Sequence, residues 1–179
     1  MHQDILTDLS VIAANAAQKE EENEHFLSFV RTLDGRALDS IVHQLNDEIS
    51  AQIDCTQCGN CCETLMVNIT PKEVEGLADF INLPVDEVKE RYIEESLAGN
   101  CIINTIPCSF LKDKKCTIYA GRFLECREFP HLHKDGFKER LLGTLLHYGS
   151  CPIIYNVVEA VKQASSFFVE EDATVPPDL

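Results

Sequence analysis

Apolar positions recur at helical spacing over most of the chain, with polar residues between them. Ile5, Leu9, Ile12 and Ala16 form one such stripe, and Phe26, Phe29, Val30 and Leu33 resume it after the acidic stretch KEEENEH. This pattern predicts one long, kinked helix that Asp34-Gly35 breaks. A second amphipathic helix follows through Leu38, Ile41, Val42, Leu45 and Ile49, making a helical hairpin with the first. Thr70-Pro71-Lys72-Glu73 reads as a helix start: a hydroxyl cap, proline at the first helical position and an acid three residues after the cap. Val74, Leu77, Ala78 and Ile81 supply its buried stripe. Leu83-Pro84 stops it, and Val85, Val88 and Tyr92 begin another helix that ends before Gly99.

Helical periodicity fails between residues 101 and 133. There KDKK, at 112 to 115, makes a polar turn between PCSFL and CTIY, which predicts a short hairpin. Leu142, Leu145 and Leu146 mark a further helix. Ile154, Val157, Val158 and Val161 mark a last one opening at Cys151-Pro152. The expected fold is therefore mainly α: a single domain of amphipathic helices around a small β-hairpin and an irregular cysteine-rich region. Residues 1–50 are expected as an N-terminal helical extension, 51–168 as the cysteine-bearing part and 169–179 as a flexible acidic tail.

Composition sharpens this picture in two ways. A hydrophobic share of 45% and a charged share of 25% suit a protein that folds in water, with no apolar run long enough to span a bilayer. Asp4 and Asp8 stand where a secretion signal would carry positive charge, so a cytoplasmic protein is expected. The formal net charge of -15 repels nucleic acid and anionic membranes alike. The two short helices after Thr70 could suggest a DNA-reading pair, but EVEGLADF and DEVKERYIEES are too acidic to face phosphates.

The nine cysteines change the picture most. In a reducing compartment, closely spaced cysteines are more often metal ligands or redox groups than a disulfide framework. CTQCGNCC places Cys55, Cys58, Cys61 and Cys62 within eight residues. Two cysteines separated by two residues close a tight loop around one ion, and a following glycine such as Gly59 relaxes the backbone for it. The overlapping Cys58-x-x-Cys61 step extends this to spacing typical of iron-sulfur ligation. In an extended backbone Cys61 and Cys62 would leave on opposite faces, so they are not natural partners on one small ion. The polar neighbours Thr56, Gln57, Asn60 and Glu63 argue against a plain core segment.

Four more cysteines stand alone: Cys108, Cys116, Cys126 and Cys151. Eight thiols allow two four-ligand sites, or one centre with structural thiols beside it, and spacing does not choose. Eight buried thiolates without cations would be prohibitive. His131 and His133 lie close after Cys126 but read better as packing or surface histidines. Arg122 and Arg127 flank Cys126, where each either offsets thiolate charge or joins a salt bridge.

CTQCGNCC, then PCSFLKDKKCTIYAGRFLECREFP, then Cys151-Pro152, closely resembles the CxxCxxCC cysteine-cluster family, the YkgJ-like zinc- or iron-chelating domains. The resemblance runs from residue 55 to about 152. It implies metal ligands at Cys55, Cys58, Cys61, Cys62, Cys108, Cys116, Cys126 and Cys151, and leaves Cys101 outside as a core or strand thiol. The family usually has Arg-Pro where this chain has Arg122-Phe123, a departure confined to a turn. A related domain occurs in flagellin lysine methylases, where an iron-sulfur cluster is implied, but those proteins carry sequence not evident here.

The expected function is thus a cytoplasmic cysteine-ligated metal protein. It would hold an iron-sulfur cluster or Zn2+ in one or two centres, with a structural or redox role. The rival readings are a metalloenzyme modifying a protein side chain, and a metal-stapled module whose N-terminal helices recruit a protein partner. No phosphate loop, nucleotide fingerprint or nucleophile-base pair names a reaction.

Overall fold

A computed structural model describes residues 5–97 and 99–168; the expected tail at 169–179 lies outside the described residues. In chain order the first helices are α1 (Leu9–Gln18), α2 (Glu20–Val30), α3 (Gly35–Ser50), α4 (Cys55–Cys58) and α5 (Asn60–Thr64). Then come β1 (Asn68–Ile69), α6 (Pro71–Ile81), α7 (Val85–Tyr92), β2 (Ile93–Glu95), β3 (Cys101–Ile103), β4 (Leu111–Lys112) and β5 (Lys115–Cys116). A 3-10 turn at Tyr119–Gly121 precedes α8 (Leu124–Glu128), α9 (Phe137–Leu145) and α10 (Pro152–Ala164). The protein is mainly α with small antiparallel sheets. No helix among the described residues is long and apolar enough to cross a membrane.

The chain forms two compact units: one from the segments up to Ile53 and from Leu132 onward, the other from Asp54–His131. Residues 132–168, expected to lie with the cysteines, thus group with the N-terminal helices.

In the unit of the terminal segments, the long kinked helix expected over residues 5–33 is two helices, α1 and α2, separated at Lys19. Asp8 opens α1 by accepting from the backbone N–H groups of Ser10 at 2.8 Å and Val11 at 3.2 Å. Asp34 does more than break a helix, since its carboxylate caps α3 by accepting from the Ala37 N–H at 2.9 Å. Asp39, on α3, caps a different helix: its two oxygens accept from the N–H groups of Gly136 and Phe137, both at 2.9 Å, where α9 begins. Helix α10 is the centre of this unit and α3 packs along it. Its residues Pro152 to Val158 and Ala160 to Lys162 are all buried, so the apolar stripe read from the sequence understates it.

Two polar groups on α10 are partnered as burial demands. Asn156 donates to the carbonyls of Leu6 and Pro152, both at 2.7 Å, and accepts from the Leu6 N–H at 3.0 Å. Lys162, on the same helix, lies 2.7 Å from Glu22 and 2.8 Å from Glu159; Glu159 also pairs with Lys19 and accepts from the Tyr148 hydroxyl at 2.7 Å.

Helix α9 exists where expected, but its buried face is Phe137, Leu141 and Thr144. Leu142 and Leu146, expected to mark the stripe, are 64% and 77% exposed. With leucine at 141, 142, 145 and 146, two helical phases are equally apolar, and buried Phe137 selects the phase that carries Leu141. Leu141→Ala should therefore cost about 2–5 kcal/mol and Leu142→Ala under about 0.5 kcal/mol, by urea denaturation. Equal costs would show that the phase is misassigned.

The Asp54–His131 unit holds a three-stranded antiparallel sheet in the order β1-β3-β2, which periodicity did not predict. Ile69 and Glu95 pair with Cys101 from either side, so Cys101 sits on the central strand, and it is buried, as expected of a core or strand thiol. The start of α6 has the full reciprocal cap: the Glu73 N–H donates to Thr70 Oγ1 at 3.3 Å, and the Thr70 N–H donates to Glu73 Oε2 at 2.9 Å. The expected hairpin is β4-β5, and its turn residues Asp113 and Lys114 both have positive φ, the geometry that suits a two-residue hairpin. The apolar core joins Val67, Ile69, Val74, Leu77 and Val88 to Phe110, Ile118 and Phe123, and Cys108, Cys116 and Cys126 pack against it.

Candidate metal centre

Each half of CTQCGNCC forms one short helix. Asp54 caps the first by accepting from the Thr56 N–H at 2.9 Å, and α4 then places Cys55 and Cys58 three residues apart on one face. Gly59 is both the end of α4 and the start of α5, at φ 64°. A Cβ there would strike the Lys114 carbonyl of the β4-β5 turn, so glycine is required both by the dihedral and by the close approach of the hairpin.

The extended backbone expected at Cys61 and Cys62 is instead the first turn of α5. Successive residues there diverge by about 100° rather than 180°, and the two thiols hydrogen-bond to each other. That bond, from Cys62 to Cys61, favours the Cys61 thiolate and lowers its pKa against the effect of burial, with nearby backbone N–H groups and Arg122 assisting. The same bond pushes the Cys62 thiol upward, with burial adding to it.

Three later segments bring one thiol each. The Cys108 N–H donates to the Cys62 carbonyl at 2.8 Å, tying the loop before the hairpin to α5. Cys116 ends strand β5, and Cys126 lies on α8. Burial raises the Cys108 pKa, and Cys116 and Cys61 raise it further. Burial pushes Cys126 up to about 12, with Cys108, Cys61 and Cys116 adding to it. Burial also raises Cys55, followed by repulsion from Cys61 and Cys58. Seven cysteines from five segments of one unit are thus gathered, with Cys58 and Cys116 among those whose charge acts on the others.

The eighth, Cys151, belongs to the unit of the terminal segments, where it stands immediately before α10 with its N–H donating to the His147 carbonyl at 2.9 Å. His131 and His133 do not share a strand face: His131 has φ 62° in a turn, with Nδ1 3.9 Å from Glu128, and His133 is exposed. Among the described residues Arg122 makes no salt bridge; its guanidinium stacks on the Tyr119 ring at 3.8 Å and its charge acts on Cys55, Cys61 and Cys126. Arg127 instead acts on Glu73.

Among the described residues no three Cys, His, Asp or Glu side chains already surround a common point. The thiols nonetheless fit a cation. Burial and mutual repulsion raise the pKa values of Cys55, Cys108 and Cys126, and these residues would hold a divalent ion or cluster whose positive charge would favour their thiolates.

Similarity to known proteins follows the same residues. The chain is 34% identical over 88 residues to an uncharacterized protein of Methanocaldococcus jannaschii, an alignment covering 43% of this chain and 43% of that one. It therefore spans less than half the length of that relative. No solved structure gives a significant match. The family model described as "Putative zinc- or iron-chelating domain" matches residues 54–143, which includes the seven gathered cysteines and ends before Cys151. With that match covering half its length, the chain belongs to the CxxCxxCC family.

Proposed function

We propose that this is a cytoplasmic cysteine-ligated metal protein holding an iron-sulfur or zinc centre, with a structural or redox role. The ligands are drawn from Cys55, Cys58, Cys61, Cys62, Cys108, Cys116 and Cys126; Cys151, which the sequence pattern also offers, belongs to the other unit. The observation that carries this reading is the gathering of seven cysteines from five segments into one unit, six of them half-buried and Cys55 exposed. A buried group of that kind has no stable ionised state without cations. The overlapping CxxC steps favour an iron-sulfur cluster over zinc by a small margin.

Elemental analysis and the absorption spectrum of anaerobically purified protein test it. Iron with acid-labile sulfide and a brown colour support a cluster; stoichiometric zinc in a colourless sample supports a zinc site. A stable, folded product with every thiol free and no transition metal overturns the proposal.

A further inference from the structure

Arg122 is half-buried and its Nε–H is shielded from solvent without an acceptor. A buried donor left unpaired costs on the order of 1–3 kcal/mol, so it calls for an explanation. The usual partner, a carboxylate, is not provided: no ion pair involves Arg122 among the described residues, and its face is taken up by Tyr119. Two residues on, the chain enters α8, which carries Cys126, and the Arg122 charge acts on the thiols of Cys55, Cys61 and Cys126.

The backbone holds it there. Arg122 links the 3-10 turn to α8 in an extended conformation, φ −61° and ψ 151°. The preceding Gly121 is pressed against Phe80, whose ring carbons lie 2.6–3.0 Å from where a Cβ would stand. The following Phe123 is buried in the core, and the Leu124 N–H is held by Glu73 at 2.7 Å. The segment is therefore pinned on both sides of the arginine.

Resting on the metal-protein reading above, we propose that Arg122 is the built-in counter-charge of the centre and that its Nε–H donates to a metal-bound sulfur once the ion is in place. The ion completes the arginine as much as the arginine completes the site: a thiolate supplies the missing acceptor, and the guanidinium disperses negative charge that the ion leaves over. Groups that orient and support metal ligands in this way are typically worth 10- to 100-fold in affinity. The planar donor matters as well as the charge, since lysine carries the same charge without the fixed N–H.

The test uses full-length protein loaded with zinc(II) and titrated against a chromophoric chelator, with circular dichroism and urea denaturation of the metal-free forms as controls. Arg122→Met keeps the aliphatic stem; it should weaken zinc about 10- to 100-fold while the metal-free fold is unchanged, and Arg122→Lys should recover only part of the loss. Wild-type affinity in Arg122→Met overturns the proposal, as does full recovery in Arg122→Lys, which would leave charge alone and no directed bond. Should Arg122→Met fail to fold, Arg122→Lys decides, since a loss of zinc affinity in a folded lysine variant still requires the Nε–H. A wild-type protein that takes up neither zinc nor iron overturns the metal reading itself and this proposal with it.

Discussion

Cys58→Ser should release bound metal and weaken the Asp54–His131 unit, whereas Cys101→Ala should keep the metal. Cys58 ends the first helical turn of the cluster, on the same face as Cys55. Serine fits there but offers no thiolate. Because metal binding is coupled to folding, the lost ligand should lower stability by roughly 3 kcal/mol or more. The full 10–16 kcal/mol of an isolated zinc finger is not expected, since this unit has an apolar core of its own. Cys101 is 2% exposed on the central strand, where its thiol donates a long 3.9 Å hydrogen bond to the Gly99 carbonyl. Trimming it leaves a small cavity and costs about 1 kcal/mol. Metal per chain and urea midpoints read both effects, and equal loss of metal in the two variants would show that the ligands are wrongly divided.

Glu159→Leu should markedly destabilise the unit of the terminal segments. One carboxylate serves Lys162, Lys19 and the Tyr148 hydroxyl, and the Lys162 side chain is only 5% exposed. Removing it leaves the buried Lys162 ammonium to Glu22 alone and takes this acceptor from Lys19 and Tyr148, which costs roughly 3 kcal/mol, and Glu159→Leu with Lys162→Met should recover part of that. A single-variant cost below about 1 kcal/mol would overturn this account.

The pH dependence has a definite sign. Burial alone would raise the Glu159 pKa, but the bonds from Lys162, Lys19 and Tyr148 hold it below its ordinary 4.5. The unfolded chain then binds the extra proton, so this stability is present above about pH 4.5 and fades as pH falls through the folded value. Lys19 works oppositely. Burial would depress it, yet Glu159 lifts it above 10.5, so its contribution is complete below that pH and fades as pH rises through the lifted value. In Glu159→Leu the acid-side slope due to this carboxylate should vanish.

Local chemistry was the legible part of this fold. Thr70-Pro71-Lys72-Glu73 announces a helix start because caps act within four residues, whereas Asp34 read only as a break and proved to be a cap as well. KDKK announces a hairpin for the same reason. The three-stranded sheet was illegible because its strands span two or three residues, too few for a period of two to register. The Cys61-Cys62 pair was misread because its geometry depends on whether the backbone there is helical or extended, which side-by-side cysteines do not reveal. The eight cysteines were visible as a set, but which of them share a unit is a matter of tertiary contact. The fold assigns Cys151 to a different unit from the other seven.

The way the terminal segments combine also governs how this protein can be shortened. A chain starting after residue 50 would not simply shed a removable arm. It would strip α3 from α10, uncovering a thirteen-residue helix whose side chains are otherwise sealed almost all round. Such a fragment should clump or be degraded while its sulfur-bearing part is still sound, so lost binding in that deletion would report damage to the partner segment rather than a recruiting role for the missing helices.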